Sequence, residues 1–305
     1  MKKIFLFFAA VVMTAGVMSA QDINQATEAY NNGAMELQMG NNAAAIENFQ
    51  TALTMGEALG DEAADLVANC KKAISSAYLS MAKDLYNAKD FEGALTAFQQ
   101  AKEVAEGYGE AEIAAEAGEL IGQTQMVKYN DEGKAAMKAK DYPTAIAAFQ
   151  KVLEMDPANG ATAIQLGQAY MRAGQFEESN AALEIAKANG QEANAVKLIS
   201  QNYLKMAQAA VKAKKYQEAV DLAAKSNEAL ENGNAYKIAA SALQKLGKND
   251  ECIAAYEKYL EVTPNAKDAG GINCTIAVLY QQAGNKAKAK EYYQKIVNDP
   301  QFGAT

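Results

Sequence analysis

The feature that most restricts this chain is a phrase it repeats. "DYPTAIAAFQKVLEMDP" runs from Asp141 to Pro157, and "NAAAIENFQTAL", "DFEGALTAFQQA" and "KYQEAVDLAAKS" echo it from Asn42, Asp90 and Lys215. Aligned on the small residue inside each phrase, seven instances are anchored at Ala45, Ala94, Ala145, Ser179, Ala219, Cys252 and Ala289. Four residues after the anchors stand Phe49, Phe98, Phe149, Leu183, Ala223, Tyr256 and Tyr293, and seven after them come mostly small or apolar side chains. Steps of four and seven share one helical face. Twelve residues before the anchors stand Gly33, Ala82, Gly133, Gly167, Ala207, Ala240 and Ala277, so each instance requires a second helix at close approach. Between the two small positions, five before the anchor, lies Gly40, Lys89, Lys140, Gly174, Lys214, Gly247 or Gly284. Glycine there suits a left-handed helix end, and lysine can interact with the last carbonyls. Each instance therefore reads as helix, short turn, helix, with Pro157, Pro264 and Pro300 stopping second helices.

A hairpin of about 34 residues buries too little apolar surface to fold alone, so neighbouring hairpins must cover one another. The anchors are separated by 49, 51, 34, 40, 33 and 37 residues, so the first two intervals contain extra structure. From Asp61 to Asn87, apolar residues at Ala63, Val67, Cys70, Ile74, Tyr78, Met81 and Leu85 alternate steps of four and three, which predicts one continuous amphipathic helix. A similar extension is expected over Glu110 to Ala139, interrupted in propensity by Gly118 and Gly122. No linker rich in proline, glycine or serine appears, and residues 21–305 read as one domain. The unit anchored on Ala219 carries Ala223 and Ser226 at usually bulkier or apolar places, which predicts thinner local packing.

The stretches Gly133 to Pro157 and Leu166 to Ala186 resemble tetratricopeptide repeats, with small, aromatic and proline landmarks at that family's spacing. The resemblance covers about Ala26 to Pro300. It implies an all-α fold, a right-handed superhelical array of about seven hairpins, whose first helices line a concave groove for extended peptides or partner helices. The family's groove for a C-terminal carboxylate needs a particular set of lysines and asparagines. Asn130 and Lys134, and Lys237 and Ser241, do not reproduce it.

The first twenty residues read as a cleavable signal peptide: two lysines, then "IFLFFAAVVMTAGV", then a plausible cut after Ala20. The apolar run is shorter than the roughly 20 residues that span a bilayer, and no cysteine follows it for lipidation. These features predict an exported, periplasmic chain without a membrane anchor. Loss of Lys2 and Lys3 takes the formal charge from -8 to -10, a balance that opposes nucleic-acid binding.

Histidine is absent, which removes the commonest general base, the commonest transition-metal ligand and every imidazole triad. Cys274 has no imidazole to activate it, and Cys70 and Cys252 read as small buried residues. "NDEGKAA" lacks the earlier glycine and the hydroxyl of a phosphate loop, and "DPANG" lacks the later ligands of a calcium loop. The reading is a non-enzyme with no cofactor and no metal.

Surface remains. Seven residues before the anchors, Lys138, Arg172, Lys212 and Lys245 stand in four consecutive units, a basic ladder in an acidic protein. One residue earlier, Met137 and Met171 continue an apolar row through Leu37, Tyr86 and Val211. Adjacent basic and apolar rows suit an acidic, partly hydrophobic segment. At the far end the sequence stops five residues after Pro300, so Ile296 is expected to be partly bare and available for self-association. The expected function is an exported scaffold binding a protein or peptide in the cell envelope. The alternative is a periplasmic binder of small ligands or glycans, using tyrosines as a platform.

Overall fold

The computed structural model describes residues 20–297. The expected signal peptide, except Ala20, and the expected helix stop at Pro300 lie outside them. Among the described residues there are fourteen α-helices, one short 3-10 turn and no strand. The sequence reads as one continuous domain from residue 21, but the described residues divide into two compact units, the first ending at Lys128 and the second opening at Tyr129.

The first unit contains α1 (Ala20–Gln38), α2 (Asn42–Leu59), α3 (Ala64–Asn87), α4 (Phe91–Tyr108) and the opening of α5 (Ala111–Ala139). Its core gathers Phe49, Phe98, Ile74, Cys70 and Leu79, with Ile113, Leu120 and Ile121 of α5 packed against it. The extra residues between the first anchors are helix, as the apolar spacing predicts. Gly60–Ala63 form a 3-10 turn, so α3 opens at Ala64 and runs 24 residues, three later than the periodicity suggests. Helix α5 runs 29 residues straight through Gly118 and Gly122, where an added Cβ would meet nothing within 4 Å. Those two glycines therefore serve no close helix crossing.

The second unit holds the rest of α5, followed by α6 (Tyr142–Met155), α7 (Gly160–Ala173), α8 (Phe176–Ala188), α9 (Glu192–Lys212), α10 (Tyr216–Ala229), α11 (Gly233–Lys245), α12 (Asn249–Val262), α13 (Ala269–Gln282) and α14 (Lys286–Gln294). Consecutive helices pack antiparallel, and their cores follow one another along the chain in clusters centred on Phe149, Leu183, Leu222 and Tyr256. Among the described residues the hairpins thus number seven, α1 with α2 through α13 with α14.

The close approach required by the small residues is present. A Cβ built on Gly133 would lie 2.5 Å from the Phe149 ring, and one on Gly167 2.7 Å from Leu183. Ala82, Ala207, Ala240 and Ala277 are fully buried at the equivalent places. All seven turn residues are left-handed, including Lys89, Lys140 and Lys214 at φ near +60°. Backbone hydrogen bonds explain why the geometry is kept whatever the side chain: the Lys140 amide bonds to the Met137 carbonyl, and the Asp141 amide to that of Ala136. Asp90, Asp141 and Asn285 then start the following helices by accepting from backbone amides three residues on.

Thin packing around Ala219 is replaced by a buried polar network. The Ser226 hydroxyl donates to the Ser200 carbonyl at 2.9 Å, the Ser200 hydroxyl to the Leu230 carbonyl at 3.1 Å, and the Asn232 amide to the Ser200 hydroxyl at 3.1 Å. In the preceding hairpin Asn202 donates to Ser179, whose hydroxyl donates to the Gly167 carbonyl at 2.6 Å. Small hydroxyls thus fill the space a larger apolar side chain takes elsewhere, and their polarity is satisfied locally.

Candidate interaction surface

The four ladder cations share one structural address. Lys138, Arg172, Lys212 and Lys245 each stand in the last turn of the first helix of a hairpin, α5, α7, α9 and α11. Each therefore faces the negative end of a helix dipole, which stabilises it by about 0.3–1 kcal/mol. All four are exposed, and none forms an ion pair within 4 Å among the described residues. Because α5 to α12 alternate in direction, the turns after these helices lie at one end of the second unit, and the ladder runs along that end. Lys140 and Lys214, two residues beyond Lys138 and Lys212, add exposed charge there. Their role as turn formers hides them from a search by helix position, although their spacing from the ladder is visible.

The apolar row beside the ladder divides differently. Leu37 and Tyr86 pack on the core of the first unit, while Met137 and Val211 pack on cores of the second. Met171 is half-buried and belongs to none of these clusters. The structure thus brings the four cations to one edge but commits most of the apolar row to helix packing.

Other cations are already occupied. Lys237 donates to Asp268 at 2.5 Å, and the Tyr259 hydroxyl donates to the same carboxylate at 2.6 Å. These hydrogen bonds, Lys237 first, hold the Asp268 carboxyl below its usual range, while burial and then Asp268 push the Tyr259 phenol up to about 12. Lys134 lies 3.8 Å from Asp131.

The C-terminal hairpin corrects one expectation. Ile296 is only 4% exposed, so it is not the bare side chain a truncated array implied; Val297 is the exposed neighbour at 59%. The tyrosines proposed as a glycan platform are engaged here as well. Tyr292 and Tyr280 both donate to Glu257, at 2.6 and 3.3 Å, and burial raises both phenols.

Among the described residues no group of three or more histidine, cysteine, aspartate or glutamate side chains is arranged to hold a metal. The cysteines are unpaired, and burial pushes the Cys70 and Cys252 thiols up to about 11, away from the nucleophilic thiolate. No described helix is long and apolar enough to cross a membrane.

Family profiles described as tetratricopeptide repeat match residues 136–201, and residues 234–266 and 271–298. Together with the hairpin geometry they show that these segments carry tetratricopeptide repeats. A crystal structure of MamA is 23% identical over 57% of this chain and 91% of that one, with a TM-score of 0.38. A structure of MamA AMB-1 is 28% identical over 60% and 95%, again at 0.38. A thermophilic TPR protein of Thermus thermophilus is 15% identical over 57% and 91%, at 0.26. No curated protein matches the sequence.

Proposed function

We propose that the chain is an exported, non-catalytic scaffold of the cell envelope that grips an acidic segment of a partner protein at the basic edge of its second unit. The repeats supply the general role, since stacked hairpins of this family present extended surfaces for other proteins. The observation that carries the specific reading is the ladder: four exposed cations without ion pairs, one per hairpin, along one end. An acidic segment lying across successive turns meets a charge at every step, and exposed charges of this kind govern association rate and register. The half-buried Met171 adds an adaptable apolar contact beside Arg172. Binding by shape and charge needs no bond made or broken.

The test is fluorescence anisotropy with a labelled poly-glutamate peptide across a salt series. Changing Lys138, Arg172, Lys212 and Lys245 together to glutamine is expected to weaken binding about tenfold or more at low salt and to flatten its salt dependence. Unchanged affinity at low salt would refute the assignment. Export is tested separately: protein recovered from the periplasmic fraction should begin at Gln21, and protein retained in the cytoplasm with its leader intact would overturn that part of the reading.

A further inference from the structure

The charge of this chain is segregated. Between Ala20 and Lys128 there are 17 acidic and 6 basic side chains, a net of -11; between Tyr129 and Val297 there are 19 acidic and 21 basic, a net of +2. Within the first unit five of these carboxylates stand at the junctions that join α2 to α3 and α4 to α5. Helices α2, α3 and α4 alternate in direction, so both junctions lie at the same end, and Leu66 and Val67 beside one share a core cluster with Tyr108 and Ile113 beside the other. Asp61, Glu62, Asp65, Glu110 and Glu112 stand there, four of them exposed and Glu110 half-buried. None forms an ion pair among the described residues.

Favourable placement near helix N-termini accounts for some of these carboxylates, as it accounts for cations at the C-termini. That interaction saturates within one turn and leaves the charges facing water. One chain therefore carries five carboxylates without ion pairs at one end of its first unit and four such cations at one end of its second, beside the paired Glu57 and Glu106 in the first and the paired Lys215 and Lys248 in the second.

We infer that the acidic segment taken by the ladder is the junction end of the first unit of a second copy, so that copies associate head to tail. The inference rests on the ladder being a binding edge, and it names the occupant. The formal charge of -8 opposes association of copies at random orientation. Local complementarity reverses that sign only when the acidic end of one copy meets the basic end of another, which makes the contact orientation-specific. Such a contact uses two different surfaces, so each added copy exposes a fresh one, and assembly continues past two unless a ring closes.

The experiment is sedimentation velocity on the chain from residue 21, at about 0.01 M salt, where charges act over about 30 Å, and at about 0.15 M, where they act over about 8 Å. Wild type is expected to grow beyond a dimer with concentration at low salt and to dissociate at higher salt. A ladder variant (Lys138→Gln, Arg172→Gln, Lys212→Gln, Lys245→Gln) and an acid-end variant (Asp61→Asn, Glu62→Gln, Asp65→Asn, Glu110→Gln, Glu112→Gln) should each stay monomeric. Their circular dichroism and melting temperatures show whether each is folded. Mixed together, the two variants have one complementary contact and should stop at a 1:1 dimer. Wild type that stays monomeric at low salt overturns the inference, as does association untouched by either variant. Labelled poly-glutamate separates the two levels: if the acid-end variant binds it through the ladder while wild type stays monomeric, the scaffold reading stands and only self-recognition falls. If poly-glutamate does not bind either, both fall.

Discussion

The two units are built from the same hairpin and differ in what is added to it. In the first, the anchors Ala45 and Ala94 stand 49 residues apart and α3 reaches 24 residues, while α5, which opens there and closes in the second, reaches 29. In the second, hairpins recur at 33 to 40 residues, and most first helices have 13 or 14 residues. Both satisfy the same crossing rule, a small residue facing a larger one sixteen positions later: Gly33 with Phe49, and Gly133 with Phe149. The crossing is therefore set by a few contacts near the turn, and the distal length of a first helix is free to vary. Charge varies independently as well, because the ladder cations and most of the junction carboxylates are exposed and take no part in those contacts.

The largest way to break this comparison is to remove the shared contact. Phe98→Ala in the first unit and Phe149→Ala in the second each empty a site where the ring is at most 1% exposed. Each is expected to destabilise by about 3–5 kcal/mol. Amide exchange followed by mass spectrometry should show protection lost mainly in the mutated unit, because each ring belongs to a core confined to its own unit. Equal loss in both units from either substitution would show that the division does not describe their stability.

Next in size is the spare length of α5. Gly118 and Gly122 lie inside the helix with open space at their Cβ positions. Replacing either by alanine removes a propensity penalty of about 1 kcal/mol, and the pair about 2 kcal/mol, read as a raised denaturant midpoint. Gly133→Ala in the same helix should act in the opposite direction, since its Cβ would enter the Phe149 ring. Stabilisation by all three substitutions would contradict the distinction between spare and crossing glycines.

Most of this architecture was legible in the sequence for a definite reason. Small anchors, aromatic partners and turn residues recur because each hairpin solves the same packing problem, so seven copies reinforce a signal that one would leave ambiguous. The extended helices were legible too, through apolar steps of four and three. What escaped was whatever depends on side-chain placement across elements. The 3-10 turn at Gly60–Ala63 is invisible to periodicity, because one tight turn changes no apolar face. The polar network around Ser200 and Asn232 follows from three separate stretches meeting, while sequence shows only small residues in the wrong class. Ile296 was misjudged since distance from the chain end does not measure cover. For the candidate site, the ladder could be read by register, but whether each cation was already paired could not: Lys237 looks as available as Lys245 until Asp268 is found beside it.

Turn chemistry tests both units on equal terms. Lys89 in the first, and Lys140 and Lys214 in the second, hold φ near +60° where other hairpins use glycine. A left-handed L-residue costs roughly 1 kcal/mol or more, so each lysine-to-glycine change is expected to stabilise by up to about 1 kcal/mol once the greater freedom of glycine in the unfolded chain is set against it. Gly40→Ala, at φ +79°, is the reverse experiment and should destabilise. If Lys140→Gly and Lys214→Gly were neutral while Lys89→Gly stabilised, the lysines of the second unit would be held by something beyond backbone geometry, and their added charge at the ladder end would gain importance.

The smallest effect concerns Asp268, which joins α11, α12 and α13 through Lys237 and Tyr259. Its carboxyl is held below the usual 3.8 by those hydrogen bonds, so the folded state binds its proton less readily than the unfolded chain. The stabilisation is therefore complete above the unfolded pKa and fades as pH falls through the lower folded value. Solvent reaches both partners, with side chains 45% and 38% exposed, which keeps the contribution modest. Asp268→Asn should lower the denaturant midpoint at pH 7, and the gap from wild type should close as pH drops below about 4. A gap that does not narrow at all between pH 7 and about pH 2.5, below the ordinary carboxylate range, would mean that Asp268 acts through packing at the start of α13 and not through its charge.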